Sequence, residues 1–330
     1  MRLALFSLLI LICSILQGQL LPTYGDSRTA TTGWQFLKMN PDARAAGMSE
    51  SYLAVVNDVS SLYWNPAGLT RLDSNKFHFA INFSDELADA KNEFAGVVYR
   101  AGNNTLFGVS LQYVDAGIMQ VTTEFMPQGT GQTFRATDVG IGISVARELT
   151  DQFSFGITAK YIREDLATVH TQNIVFDFGF QYDIGIANTR FAVGLQSFGF
   201  NTEPSGEIET TLLSGDTIFS DFTEISVPTV FRIGMAWDAV KTEKNMLTAS
   251  AQLNHPTDNN ETYSIGLEYG WKQIFFARSG YLFSSDLASF PSLGFGLQLK
   301  RHFGIVRLDY GFNYRDNSGA SNKIGFSLTL

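Results

Sequence analysis

From residue 77 to the C-terminus, large apolar side chains recur at every second position, and this alternation limits the fold more than any other feature. The first run carries Phe77, Phe79, Ile81 and Phe83, with polar or small residues between them. A period of two residues is that of a β-strand with one apolar face. Fourteen such segments can be counted to the end of the chain, which predicts an all-β protein of fourteen antiparallel strands.

The connections between these segments alternate in length. The odd connections run over 84–91, 115–135, 164–172, 200–227, 254–261, 284–291 and 315–322, and the even ones over 101–104, 148–152, 185–189, 239–245, 270–273 and 301–304. Every odd connection is longer than every even one. Outer-membrane barrels have short periplasmic turns and longer outer loops. The pattern therefore predicts a transmembrane β-barrel, and an even strand count predicts that both ends of the mature chain lie on the periplasmic side.

The apolar face could meet lipid or a protein core, because a soluble β-sandwich alternates in the same way. Two features favour lipid: the segments with their flanks have the roughly nine to eleven residues that cross a bilayer, and Tyr and Trp cluster at their ends. The aromatic residues concerned are Tyr113, Tyr161, Tyr182, Trp237, Tyr269, Trp271 and Tyr314. A mean hydropathy of +0.01 suits strands that face lipid on one side and the lumen on the other. The predicted location is the bacterial outer membrane, with its lipid as a partner.

The N-terminus has the features of a secretory signal peptide. Arg2 precedes an apolar stretch over 3–16, and Gly18 is a small residue at a plausible cleavage site. The single cysteine, Cys13, lies inside this stretch, so the mature chain is predicted to have no disulfide and no cysteine nucleophile.

Residues 33–69 interrupt the strand pattern with short helix-like stretches. The run 43–47 is rich in alanine, and Pro66 ends a following helical segment by forcing Asn65 out of the α region. Because a fourteen-strand barrel has a lumen too wide for its own side chains to fill, this segment is expected to plug it as a hatch. The predicted organisation is a signal peptide at 1–18, the hatch at 19–73 and the barrel at 74–330.

The same stretch resembles the start of the PorV/PorQ family. The matching pieces are Phe36-Leu37, Pro41, the run 43–48, the run 52–55 and Trp64-Asn65-Pro66-Ala67-Gly68-Leu69. The resemblance implies an outer-membrane barrel of type IX secretion, with the translocon barrel and exported proteins as partners. It also implies membership of the wider FadL-like barrels, so the alternative function is a channel for uptake of hydrophobic small molecules.

The hatch motif, Arg44 together with Trp64, Asn65, Pro66, Ala67 and Gly68, has two possible roles. It either shapes and seats the plug or forms a gate or ligand contact.

Residues that lie between the outward-facing apolar positions of each strand are expected to face the lumen. Their positive and negative charges are nearly balanced. These are Lys160, Asp177, Asp183, Arg232, Glu268, Arg278, Lys300, Arg307 and Asp309. The first interpretation is a network of ion pairs between wall and plug, in which Arg44 could pair with Asp177, Asp183 or Glu268. The alternative is a carboxylate site made by Arg232, Arg278 and Arg307 for a fatty-acid-like ligand, since arginine binds carboxylates bidentately.

The two longest outer loops are the best candidates for binding protein partners. Their apolar residues include Phe125 and Met126 in the first, and Leu212, Leu213, Phe219 and Phe222 in the second. Apolar loops of this kind either meet a partner or fold over the barrel mouth as a lid.

The sequence does not favour catalysis or a cofactor. The four histidines have no metal-ligand spacing, and the paired glycines Gly140/Gly142 and Gly294/Gly296 fall inside strands. The net charge of −9 argues against a nucleic-acid partner, because phosphate binding needs clustered Lys and Arg.

Overall fold

A computed structural model describes residues 31–86, 90–123, 125–207, 209–211, 217–219, 221–283, 290–315 and 319–330. The predicted signal peptide at 1–18 lies outside this part of the chain.

Fourteen antiparallel strands form a closed barrel, as the sequence predicted. The barrel strands are β1 (Phe77–Asp85), β2 (Lys91–Arg100), β3 (Thr105–Gln120), β4 (Thr133–Thr150), β5 (Phe153–Leu166), β6 (Val169–Asp183), β7 (Thr189–Gly199), β10 (Val230–Lys241), β11 (Asn245–Pro256), β12 (Thr262–Trp271), β13 (Phe275–Phe283), β14 (Ser292–Arg301), β15 (Gly304–Arg315) and β16 (Gly319–Thr329). Strands β8 (Glu209–Thr211) and β9 (Thr217–Phe219) form a separate small hairpin between β7 and β10. The barrel closes where β1 pairs with β16, from His78–Thr329 to Asp85–Asn322.

The wall has an apolar outer surface, and the molecule's main core lies inside it. Large outward side chains such as Phe295, which is 61% exposed, cover the outside. The main cluster of buried apolar residues is instead made mostly by the hatch, with a few side chains from the wall. An apolar exterior with a packed interior is the arrangement expected of a barrel surrounded by lipid. Within the described ranges, no helix has the length and apolar character needed to cross a bilayer.

One side of the wall is much taller than the other. Strands β3 and β4 have 16 and 18 residues, whereas β1 and β13 have 9 each. The extra residues lie on the side of the long connections, so β3 and β4 extend into the predicted loop 115–135 and shorten it to 121–132. The predicted loop 164–172 is likewise a tight β5–β6 hairpin that turns at Ala167 and Thr168. The predicted bounds of both loops were too wide, because a strand outside the bilayer no longer needs an apolar face and the alternation ends before the strand does.

The hatch crosses the whole lumen from the outer mouth to the periplasmic end. It contains 3₁₀ turns at Gln35–Lys38 and Pro66–Arg71 and short α-helices at Ala43–Ala46 and Ser61–Trp64. At its start, Thr32 forms a bridge with Ser226 in the outer connection before β10. At its other end, Arg100 donates a hydrogen bond to the Leu72 carbonyl beside the short β2–β3 turn. The described part of the hatch therefore begins at the outer mouth, whereas the predicted start of the mature chain, near residue 19, lies outside the described residues.

Glycines on the inner wall let the hatch backbone approach closely. A Cβ added at Gly280 would lie 2.3 Å from the Met48 carbonyl carbon, and one at Gly156 would lie 2.5 Å from that of Pro66. Such separations are far below van der Waals contact, so only glycine fits where the plug touches these strands.

Replacing Gly280 by valine is expected to destabilise the barrel by about 1–3 kcal/mol, because the Met48–Ser49 peptide must move to make room. The urea concentration at half-unfolding, measured by tryptophan fluorescence in detergent, tests this. Gly102→Val is the control, since a Cβ at Gly102 meets no atom within 4 Å. Equal midpoints for the two variants would contradict close packing of the hatch at Gly280.

Candidate functional site

The candidate site is the interface between hatch and inner wall, and a buried ion cluster lies at its centre. The cluster consists of Arg44 and Asp58 from the hatch and Glu268, Arg278, Arg307 and Asp309 from the wall. Arg44 donates to both oxygens of Glu268, through Nε at 2.8 Å and Nη2 at 2.6 Å. Arg278 Nε donates to the same carboxylate at 2.6 Å. Glu268 has no exposed surface, so this carboxylate is balanced entirely by arginine.

The remaining members complete the charge balance. Asp309 lies 2.8 Å from both Arg278 and Arg307, and Arg44 Nη1 lies 2.9 Å from Asp58. Three guanidinium groups therefore face three carboxylates. Of the three partners expected for Arg44, the structure places Glu268 beside it; Asp177 and Asp183 lie elsewhere in the barrel.

The pKa values of two hatch carboxyl groups are shifted in opposite directions by burial and by the charges of the ion cluster. Burial acts to raise the pKa of Asp58, but the Arg44 charge and the Tyr52 hydroxyl outweigh it and hold the pKa below its usual range. Burial, together with the nearby Asp58 charge, raises the pKa of Asp42 to about 7. Asp42 also accepts a hydrogen bond from the Arg44 backbone N–H and so caps the short helix that carries Arg44.

Two further buried ion pairs lie on the wall. Lys160 Nζ is 2.5 Å from Asp177, whose other oxygen accepts the Ser197 backbone N–H at a register shift between β6 and β7. Arg190 donates to both oxygens of Asp238. The second pair was missed by the sequence analysis, which placed Asp238 at the end of a strand and Arg190 just after a turn.

The other predicted lumenal charges divide into two groups. Arg232 is buried and its guanidinium carbon lies 4.6 Å from the ring centre of Trp64 in the hatch. Its Nε and Nη1 have no hydrogen-bond partner among the described residues. Asp183 and Lys300 are exposed near the short-turn end of the barrel and contribute nothing to the ion cluster.

The hatch motif is buried against strands β5 and β6. Asn65 is extended and its Oδ1 accepts the Ala67 backbone N–H at 3.1 Å, while its Nδ2 donates to the carbonyls of Leu53 and Phe180. Asn65 thus satisfies backbone groups that the break at Pro66 leaves without helical partners. Ala67 and Gly68 follow in the tight 3₁₀ turn and are also buried.

Glutamine side chains of the wall hold the hatch backbone in register. Gln252 accepts the backbone N–H groups of Tyr52 and Leu53, and Gln181 donates to the Ala54 carbonyl. Gln112 and Gln196 donate to hatch carbonyls in the same way. None of these glutamines was among the site residues predicted from the sequence, although their inward-facing positions in the strands could have identified them.

The start of the hatch is anchored at the outer mouth. The Trp34 backbone N–H donates to Glu164, and Lys38 donates to both oxygens of Asp258 in the β11–β12 connection. The hatch is therefore held at its outer end, by the central ion cluster and by Thr70–Ser154 near the periplasmic end.

The predicted partner-binding residues lie on the outer side but are not gathered at one place. Phe125 and Met126 form the exposed tip of the β3–β4 hairpin, with 76% and 54% of their surface accessible. Phe222 is half-buried in the β9–β10 connection. Phe219 lies in β9, and Leu212 and Leu213 fall outside the described residues.

A protein-family model for type IX secretion system protein PorV matches residues 23–258, which is more than half of the chain. The chain belongs to the PorV family. It is accordingly an outer-membrane barrel associated with type IX secretion, as the hatch residues indicated. No curated protein matches the sequence.

Solved structures confirm the FadL-like fold. The toluene transporter TbuX of Ralstonia pickettii has a TM-score of 0.63 at 12% identity, covering 88% of this chain and 98% of its own. The toluene transporter TodX of Pseudomonas putida has a TM-score of 0.56 at 14% identity, covering 86% and 96%. A FadL homologue of Pseudomonas aeruginosa has a TM-score of 0.55 at 12% identity, covering 93% and 98%. At these identities the likeness concerns the fold alone.

Proposed function

We propose that this PorV-family barrel docks on the translocon of the type IX system and receives exported proteins on its outer face. The role does not require an open pore. The lumen is occupied by a hatch that is anchored at both ends and bound at its centre by the ion pair between Arg44 of the hatch and the buried Glu268 of the wall. A plugged barrel suits a docking component better than a channel.

The tall wall of β3 and β4 is the observation that carries the docking role. Its hairpin tip exposes Phe125 and Met126, and Ile118, which is 73% exposed, lies just below them. Isolated apolar residues are common on protein surfaces, but a raised apolar tip beyond the bilayer is a surface that a protein partner can cover. Their accessibility supports contact with a partner rather than with the barrel's own mouth.

Changing Phe125 and Met126 together to serine is expected to reduce copurification of translocon and exported proteins at least tenfold, because the apolar contact area is lost. The measurement is crosslinking in cells, affinity purification of the tagged barrel and mass spectrometry. The control is Ile186→Ser with Phe303→Ser, two exposed apolar residues (72% and 52%) in periplasmic turns. An unchanged partner set for the tip variant, with both variants inserted equally, would refute docking through this hairpin.

A second candidate is a channel for hydrophobic small molecules. The observation that favours it is Arg232, a buried cation with two unpartnered nitrogens that lies over the apolar ring of Trp64. Such a pair could bind a ligand with an anionic head and an apolar body. Bound lipid in the purified barrel, without any protein partner in the crosslinking experiment, would favour this function over docking.

A further inference from the structure

Charge is distributed unevenly around the short-turn end of the barrel. From β10 round to β15, the described turns and strand ends expose several basic residues but only one carboxylate, that of Glu243. We call these basic residues the basic arc, and they are Lys241, Lys244, Lys272, Lys300 and Arg301. On the opposite half of the rim, from β2 to β7, acidic residues outnumber basic ones, with Glu148, Asp151 and Asp183 against Arg100 and Arg147. The basic arc is therefore a one-sided patch of positive charge.

The cations of the basic arc are held close together without carboxylate partners. The Lys272 backbone N–H donates to the Lys244 carbonyl at 2.6 Å, so the β10–β11 and β12–β13 turns are in contact. Within the described ranges, no residue of the arc forms an ion pair. Like charges in neighbouring turns repel each other, and an anion that lies between them relieves this repulsion.

The basic arc lies at the level where the bilayer meets water. Trp237 and Trp271 lie near the ends of β10 and β12, and they are 48% and 42% exposed on the outer surface. Tryptophan at the ends of barrel strands marks the membrane interface. Lys272 directly follows Trp271, and its Nζ lies 4.6 Å from the centre of that ring. The charges of the arc therefore lie level with the lipid headgroups of the periplasmic leaflet.

Two shallow grooves in the lipid-facing surface lead toward these charges. The outward positions of most strands carry large side chains, but β11 has Ala249 and Ala251 there, and β13 has Ala277 and Ser279. Leu267 of β12 stands between the two grooves, opposite Ala249 on one side and Ser279 on the other. Acyl chains that lie along these grooves would place their headgroup near the turns that carry the lysines.

Charge and grooves together favour a lipid over other anions. A soluble anion or an acidic protein segment would use the lysines alone, whereas a lipid uses the lysines and the adjoining apolar surface. A zwitterionic headgroup brings its own cation and so gains little from the arc, while anionic headgroups are attracted by basic residues at the interface. We propose that the basic arc binds an anionic phospholipid of the periplasmic leaflet, with its phosphate at Lys244 and Lys272 and its acyl chains beside β12.

Quenching of tryptophan fluorescence by brominated acyl chains measures this contact. Trp237 and Trp271 face the lipid, whereas Trp34 and Trp64 are buried, so quenching reports on the surface beside the arc. The purified barrel is reconstituted in phosphatidylcholine that contains increasing fractions of brominated phosphatidylglycerol or, for comparison, of brominated phosphatidylcholine. We expect phosphatidylglycerol to bind at least fivefold more tightly than phosphatidylcholine, since one basic residue near an anionic lipid is worth roughly a fivefold change.

The test variant is Lys244→Gln combined with Lys272→Gln, which keeps the length of both side chains and removes two charges. The preference for phosphatidylglycerol should fall below twofold. The matched control is Lys91→Gln combined with Arg147→Gln. It also removes two exposed charges, one at the outer side of the barrel and one on the opposite half of the short-turn rim. This control should keep the preference of the natural protein.

The same quenching experiment distinguishes a lipid from other occupants of the arc. Glycerophosphoglycerol and polyglutamate are added as soluble anions, and neither should restore the fluorescence. The proposal is overturned if the natural barrel does not distinguish the two lipids, if the lysine variant keeps the preference, or if the control loses it. Recovery of fluorescence with either soluble anion would also overturn it. Because no secretion partner enters the measurement, its outcome is independent of the docking function.

Discussion

Replacing Arg44 by glutamate should unseat the hatch and make the barrel leak small solutes. In the natural protein, Arg44 donates to both oxygens of Glu268 and lies 2.9 Å from Asp58. The substitution places a third carboxylate between these two in a buried site. Removing one partner of a buried pair costs roughly 3–5 kcal/mol, and the reversed charge adds repulsion. Moving the hatch relieves the repulsion while the hydrogen-bonded strands of the wall stay paired.

The leak is measured by swelling of proteoliposomes in isotonic arabinose, where we expect at least a tenfold faster rate than for the natural barrel. Arg135→Glu is the matched control. It reverses an arginine that also pairs with an aspartate, Asp115, but whose side chain is 58% exposed, so the pair is worth about 0–1 kcal/mol. Equal swelling for both variants, with both barrels folded, would mean that Arg44 does not hold the hatch.

The wall could be predicted from the sequence because the bilayer imposes the same rule on every strand. A residue that faces lipid must be apolar, so alternate positions along each strand distinguish its lipid-facing side from its lumen-facing side. The alternation is less regular in β2 and β13 because each strand has a phenylalanine that points inward. Phe94 enters the buried core, and Phe276 lies beneath the guanidinium groups of Arg278 and Arg307. Both are apolar residues that pack against groups inside the lumen. The alternation within a single strand does not reveal such contacts.

The hatch was predicted as a plug, but its path was not. Its direction through the barrel depends on contacts between residues far apart in sequence, such as Trp34 with Glu164 and Lys38 with Asp258. The pattern of residues that are close together in the sequence contains no information about such pairs. The partner of Arg44 was narrowed to three carboxylates by inward parity, and selecting Glu268 among them required the three-dimensional position of the Ala43–Ala46 helix.

Replacing Glu268 by glutamine should strongly lower the free energy of unfolding of the barrel. Glu268 is fully buried, and it accepts hydrogen bonds from Arg44 and Arg278 while Arg307 lies 3.7 Å away. Glutamine keeps the volume and removes the charge. Three guanidinium groups would then face only Asp58 and Asp309. An uncompensated buried charge of this kind costs about 3–5 kcal/mol.

The expected loss is read from the urea midpoint of unfolding in lipid vesicles. Asp165→Asn is the control, because Asp165 and its partner Arg163 are 39% and 44% exposed, so that water screens the pair. A midpoint for Glu268→Gln close to that of the control would show that water or a rearranged arginine replaces the carboxylate. A lowered midpoint without added solute leak would instead separate the two roles of the cluster. The cluster would then stabilise the barrel, while other contacts such as Lys38–Asp258 and the wall glutamines held the hatch in the lumen.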